Sequence, residues 1–260
     1  MQENTLPDGR LQVVMNSGHA FELPMLPELD RDESSAIIFR ATAGIISELS
    51  AEMKAVDRDE TLSDIGKQQR LDPLREKAVT AVAASWANLA PFEKHLDERE
   101  AALLAVPQVD ASHAAAAIED REIRDWWRSL PTDERLKMLE KVTTEPGHER
   151  IELALLRSPI ALADHETRAI REAWDKARRL ENPAEALAID AGRRALDWSR
   201  QGLAHVAGIA AAVTGWQPER VLRAVRSSPE DHIRRGATAW GFGPMELADM
   251  DRRIAARKAA

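Results

Sequence analysis

The chain has 260 residues, no cysteine and a formal net charge of −8, which excludes disulfide staples, thiolate chemistry and Cys-ligated zinc and argues against attraction of the whole surface to a polyanion. Its 44% apolar fraction includes only 4 Phe and no Tyr, and the abundance of Ala favours helix over sheet. Charge is uneven, with −11 on residues 1–182 and +3 on residues 183–260, so nucleic acid would be welcome in the C-terminal third alone.

Met1 to Arg10 is polar and lacks a basic stretch followed by an apolar one, so no secretory signal is expected. Leu11, Val13 and Met15 alternate, Asn16-Ser17-Gly18 supplies a turn, and Phe21 and Leu23 alternate beyond it, which predicts a small β-hairpin closed off by Pro24 and Pro27. Asp30 and Glu33 have the spacing of a capping box. The helix they would start carries Ile38, Ala41, Ile45, Leu49, Met53 and Val56 as its apolar stripe, with Glu48, Glu52 and Lys54 in water.

A second helical stretch is expected from Thr61 to about Val106, with Pro73 and Pro91 each starting, kinking or breaking it locally. Its charge-free middle, Ala78 to Phe92, should pack against another helix with Trp86 as anchor. Pro107 to Ser112 reads as a connector. Short helices follow over Ala114 to Leu130, from a capping Thr132, over Glu149 to Arg157 and near Asp164 to Leu180, separated by Pro131, Pro146-Gly147 and Pro159.

Asn182-Pro183 opens a long helix that ends at Gly215, with Leu187, Ala191, Ala195, Trp198, Gly202, Val206, Ile209 and Val213 as its stripe. Gln201 to Pro218 holds no charged residue, yet it is dominated by Ala, Gly, Gln and His rather than Leu or Ile, so a buried central helix is expected and not a membrane span. Met245 to Lys258 reads as a last amphipathic helix with basic residues at its end. The expected fold is therefore all-α, an elongated multi-helix bundle with a short N-terminal β-hairpin, divided into residues 1–29, 30–181 and 182–260.

Catalytic patterns are missing. A di-iron bundle needs Glu-x-x-His pairs on facing helices, and the one literal match, Glu145 to His148, sits in a Pro-Gly break. There is no Gly-x-Ser-x-Gly elbow, and Gly241-Phe-Gly243 before Pro244 reads as a turn into the last helix. No enzymatic role, metal or other cofactor is expected.

Two segments remain as candidate binding sites. Arg124, Trp126, Trp127 and Arg128 combine the residue types enriched at partner-binding hot spots; the blander reading puts one Trp in the core and the other at the edge of a helix hairpin. In residues 210–226, Ala211, Gly215 and Val221 have helix-turn-helix spacing. Gln217, Arg220, Arg223 and Arg226 would then be available to phosphates and base edges.

An Asp8-Gly9-Arg10 hairpin, a Leu-Pro segment, the run Asp57 to Gly66 leading into a long helix, the block from Glu119 to Arg128, and Leu153 to Pro159 follow one another along the chain. In this order they resemble a group of uncharacterised helical phage and prophage proteins. It is a likeness of pattern over roughly residues 8 to 180 and carries no catalytic residue. The resemblance implies a virion-associated or head-assembly protein in the host cytoplasm or the virion, docking on other protein subunits or on itself. The more basic C-terminal third departs from the group, and DNA binding by a packaging or regulatory factor is the alternative reading.

Overall fold

A computed structural model describes residues 1–27, 30, 33–110 and 114–217. The described chain is mostly helical, with a small antiparallel sheet at its start. In order the elements are β1 (Gln2–Thr5), β2 (Leu11–Val14), β3 (Ala20–Leu23), α1 (Ser34–Arg58), α2 (Asp64–Leu103), α3 (Ala114–Ser129), α4 (Thr132–Thr144), α5 (Glu149–Leu156), α6 (Asp164–Glu181) and α7 (Pro183–Thr214).

The expected hairpin is present as β2 and β3, pairing Leu11 with Leu23 and Val13 with Phe21 around Gly18 at φ +87°. It is not the whole sheet. β1 pairs antiparallel with β2, Gln2 opposite Val14 and Thr5 opposite Leu11. Both faces of β1 are exposed, so its Gln-Glu-Asn-Thr sequence has no apolar alternation to announce a strand. The legible signal is the Asp8-Gly9 turn, with Gly9 at φ +81° and its N–H bonded to Leu6 O at 3.0 Å.

Two compact units divide the described chain: residues 1–96 with 190–217, and residues 97–189. In the first, the buried face of the sheet, Leu11, Val13, Phe21 and Leu23, shares one core with α1, α2 and α7. The Asn16 N–H donates to Ser47 Oγ at 2.7 Å, Lys54 donates to Ser17 O, and Phe21 meets the edge of Phe39 at 6.4 Å.

The buried stripe of α1 is Phe39, Ala43, Ile46, Ser50 and Met53, together with Ser35, Ala36, Thr42 and Ser47. This corrects the expected stripe, because Ala41 and Ile45 are exposed and Ile38, Leu49 and Val56 lie at the margin. Small hydroxyls can take the inner face because they bond locally: Thr42 Oγ1 donates to Ile38 O and Ser50 Oγ to Ser47 O. Thr42 also meets Ser85 of α2. The capping box fails as well, since Glu33 caps no backbone donor with its side chain and the Asp30 carboxylate instead accepts from Arg194 Nε at 2.8 Å.

α2 runs unbroken through Pro73 and Pro91. Each proline removes one ladder donor and crowds the carbonyl four residues back, but buried Leu71 and Leu74 flank the first, and Leu89, Ala90 and Glu93 the second. Packing on either side holds the helix. Trp86 is buried in the charge-free stretch, as its composition predicts.

In α7 the buried face is centred on Leu196, Leu203 and Ala210, with Ala195, Trp198, Ser199, Gly202, Val206 and Ala207 beside them. Leu187, expected in the stripe, is exposed. Gly202 lets α7 lie on α1: a Cβ there would stand 2.6 and 2.8 Å from Cδ2 and Cζ of Phe39, and closer still to Cε2. Phe39 is fully buried between Phe21 and Trp198 and has nowhere to move. Gly202→Ala is expected to destabilise the chain by about 2 kcal/mol, overpacking outweighing the helix propensity gained. At Gly192 the atoms met are the flexible tip of Leu96, so Gly192→Ala should be near neutral. Denaturant midpoints of the two variants would check the contrast.

The second unit is built from α3 to α6 with residues 97–103 of α2 and 183–189 of α7. α3 packs on α5, α4 on α6 and α5, and α5 on α6, around a core of Trp127, Leu139, Val142, Leu155 and Ile170. Thr132 is the first residue of α4 and not its cap, since the N-cap position falls on Pro131. Leu104 O, just past α2, accepts from Trp174 Nε1 at 3.1 Å and from Arg171 at 3.2 Å.

Candidate functional site

Neighbouring residues on a helix point about 100° apart, so α3 cannot present Trp126 and Trp127 together. Trp127 is 0% exposed and lies in the core of its unit, while Trp126 is 38% exposed. Their rings meet edge to face, 6.3 Å apart at 69°. Arg124 is half-buried and donates to Ala154 O at 3.4 Å, tying α3 to α5. Arg128 is exposed, pairs with Asp125 at 3.3 Å and reaches Ser158 Oγ at 3.4 Å. Of these four candidate residues, Trp126 and Arg128 are thus the pair left at the surface.

For the other candidate segment, Gln217 is exposed just beyond α7. Ala211 is buried in the core shared with α1 and α2. Gly215 takes a left-handed φ of +68°, the conformation that commonly ends a helix. Val221, Arg220, Arg223 and Arg226 lie outside the described residues, as do Gly241-Phe-Gly243 and the helix expected over Met245 to Lys258.

Sequence reasoning missed the buried carboxylates, and at Asp30, Glu93, Asp120 and Glu166 an arginine answers the charge. Asp120 is held by Arg150 Nη1 at 2.8 Å and Arg157 Nη1 at 3.3 Å. Glu166 accepts from Arg135 Nε at 3.1 Å and from the Ala163 N–H at 3.2 Å, which caps the start of α6. Glu93 pairs with Arg200 at 2.7 Å, and Asp30 with Arg194. Such pairing engages the carboxylate within the fold, which is a structural arrangement rather than that of a free general base.

Burial perturbs Glu152 and His205. Burial pushes the Glu152 carboxyl up, with Glu149 adding to it and His148 opposing. His205 stacks on Phe21 at 5.0 Å and 15°, and loss of water around the ring holds its imidazole below the usual value. The two lie in different units. No group of three or more acids and histidines among the described residues is arranged to hold a metal ion.

Some large apolar side chains are exposed on the described helices. Ile37 and Ile45 on α1 are 55% and 47% exposed, and Leu180 and Leu187, on either side of the α6–α7 corner, are 71% and 66% exposed. No helix among the described residues is long and apolar enough to cross a membrane. Comparison of the chain with family models, with curated proteins and with solved structures finds no match.

Proposed function

We propose that this is a non-enzymatic helical protein that works by docking on protein subunits, its own copies or other virion proteins, in phage head assembly or in the virion. The observation that carries the reading is the contrast between charge and apolar surface. Asp30, Glu93, Asp120 and Glu166 are buried and each is matched by an arginine, whereas large isoleucines and leucines stand in water on well-formed helices. Exposed apolar side chains gathered on one face mark interaction sites, and this reading needs no cofactor. The phage setting, in the host cytoplasm or the virion, rests on the sequence resemblance.

Light scattering over a range of concentrations tests it. A mass rising above the 28.9 kDa of one chain is expected. A single-chain mass throughout, with no binding to any virion protein, would overturn it.

DNA binding by residues 210–226 is a second reading, favoured by the left-handed turn at Gly215 directly before the basic run. The position of Ala211 inside a 32-residue helix, rather than on a short free one, weighs against it. If it holds, Arg223→Ala and Arg226→Ala should weaken binding in gel retardation and lower the salt slope by about one each.

A further inference from the structure

Five acids of the described chain are buried, and four of them face an arginine. Glu152 on α5 is the exception. It is 8% exposed, yet among the described residues its carboxylate has neither an ion pair nor a side-chain hydrogen bond. A buried charge left in this way is unfavourable, and the usual relief is to bind a proton.

The rest of the first turn makes the anion less favourable still. Glu149 stands three residues before Glu152, a spacing that makes the two neighbours on the helix surface. Its Oε1 accepts the Gly147 N–H at 3.2 Å, and bonds from backbone N–H groups hold its carboxyl below the ordinary glutamate range. Glu149 therefore keeps its charge, and Glu152 is the acid that can shed its own. Arg150, the cation of the same turn, is held by Glu119 and Asp120 of α3.

The helices that pack on α5 are α3, α4 and α6. On α3, Arg124 bonds Ala154 O and Asp120 holds Arg150 and Arg157. Between α4 and α6, Arg135 pairs with Glu166, and Glu145, just after α4, lies 3.9 Å from His148. None of these acts on Glu152. Burial pushes its carboxyl up, Glu149 adds to the rise, and His148 opposes it.

We infer that the first turn of α5 is a proton-responsive joint, in which uptake of one proton by the Glu152 carboxyl ends its repulsion from Glu149 and tightens α5 on the core of residues 97–189. A carboxyl that binds its proton more firmly folded than unfolded, where the ordinary value is 4.5, strengthens the fold as pH falls toward that value. That gain is absent above the folded-state value. Mild acid thus closes this joint and neutral pH loosens it.

NMR titration of the glutamate side-chain carboxyl carbons in the full chain reads the site directly, with Glu152 assigned by the signal missing from Glu152→Gln. The Glu152 carboxyl should titrate above the exposed glutamates, and Glu149→Gln should move it down. Thermal unfolding reads the consequence. Glu152→Gln is expected to melt above the wild type at about pH 7.5, with the gap closing as pH falls toward 4.5. Glu152→Met, which carries no polar group, should show the same closing gap. A packing change shifts a variant alike at every pH, so the slope of the difference reports the proton alone. A Glu152 carboxyl that titrates with the exposed glutamates, or a gap that stays constant over this range, would overturn the inference.

Discussion

Trp127→Ala is expected to cost about 3–5 kcal/mol and to melt the unit of residues 97–189, while Trp126→Ala next to it should cost under about 1 kcal/mol. The argument is one of burial. Trp127 is fully enclosed by Leu139, Val142, Leu155 and Ile170, which come from three other helices, so its removal leaves a cavity at the point where α3, α4, α5 and α6 meet. That core has few other large side chains to close over the gap. Trp126 loses an edge-to-face contact and surface that is already partly in water.

A third variant separates volume from polarity. The Trp127 indole N–H is buried and has no acceptor among the described residues, and a buried donor without a partner is itself unfavourable by about 1–3 kcal/mol. Trp127→Phe removes that donor along with part of the ring, so it should cost less than half of what Trp127→Ala costs. Amide hydrogen exchange would localise the effect, with protection lost across α3 to α6 and retained in α1.

Local chemistry made the helix ends legible. Pro183 starts α7 and Gly215 ends it, and Pro131 follows the end of α3, because each residue either cannot continue a helix or readily terminates one. The charge-free run around Trp86 also reported its own burial. Faces were harder to read. On α1 the larger exposed residues, Ile37 and Ile45, compete with Phe39 and Ile46 for the inner position, and the burial of Ser35, Thr42, Ser47 and Ser50 decides the rotation. A hydrophobicity count scores those hydroxyls as outward-facing, yet their bonds to the preceding turn and to the sheet let them lie inside.

The buried ion pairs had no local signal. Arg194 and Asp30 are 164 positions apart, and Asp30 looked like a cap because its neighbours were consistent with one. Arg157 and Asp120 are separated by 37 residues and two turns between helices. Pairing of this kind depends on how helices pack, and helix packing is set by the shapes of facing side chains. The candidate cluster at Arg124 to Arg128 was visible for its composition, but helical phase sends its members in different directions.

Asp120→Ala should destabilise the same unit by about 3 kcal/mol, the scale of breaking a buried ion pair by removing one partner. Asp120 is almost wholly buried on α3, and its carboxylate stands between Arg150, in the first turn of α5, and Arg157, the residue after that helix. The two arginines do not lose equally. Arg150 keeps Glu119 at 2.7 Å and Ala116 O at 3.0 Å, at a side chain one third exposed. Arg157 is 11% exposed and keeps the carbonyl of Pro107, so it becomes a nearly enclosed cation without a counter-charge. Arg157→Met alone leaves the carboxylate with Arg150. The double variant Asp120→Leu with Arg157→Met removes both charges and restores apolar contact, and should recover most of the stability lost in Asp120→Ala. Thermal unfolding of the single and double variants reads this directly. If Asp120→Ala melted with the wild type, the ion pair would contribute nothing to the joint between α3 and α5, and the contacts of Trp127 with the bonds of Arg124 to Ala154 O and of Arg150 to Glu119 and Ala116 O would hold that joint.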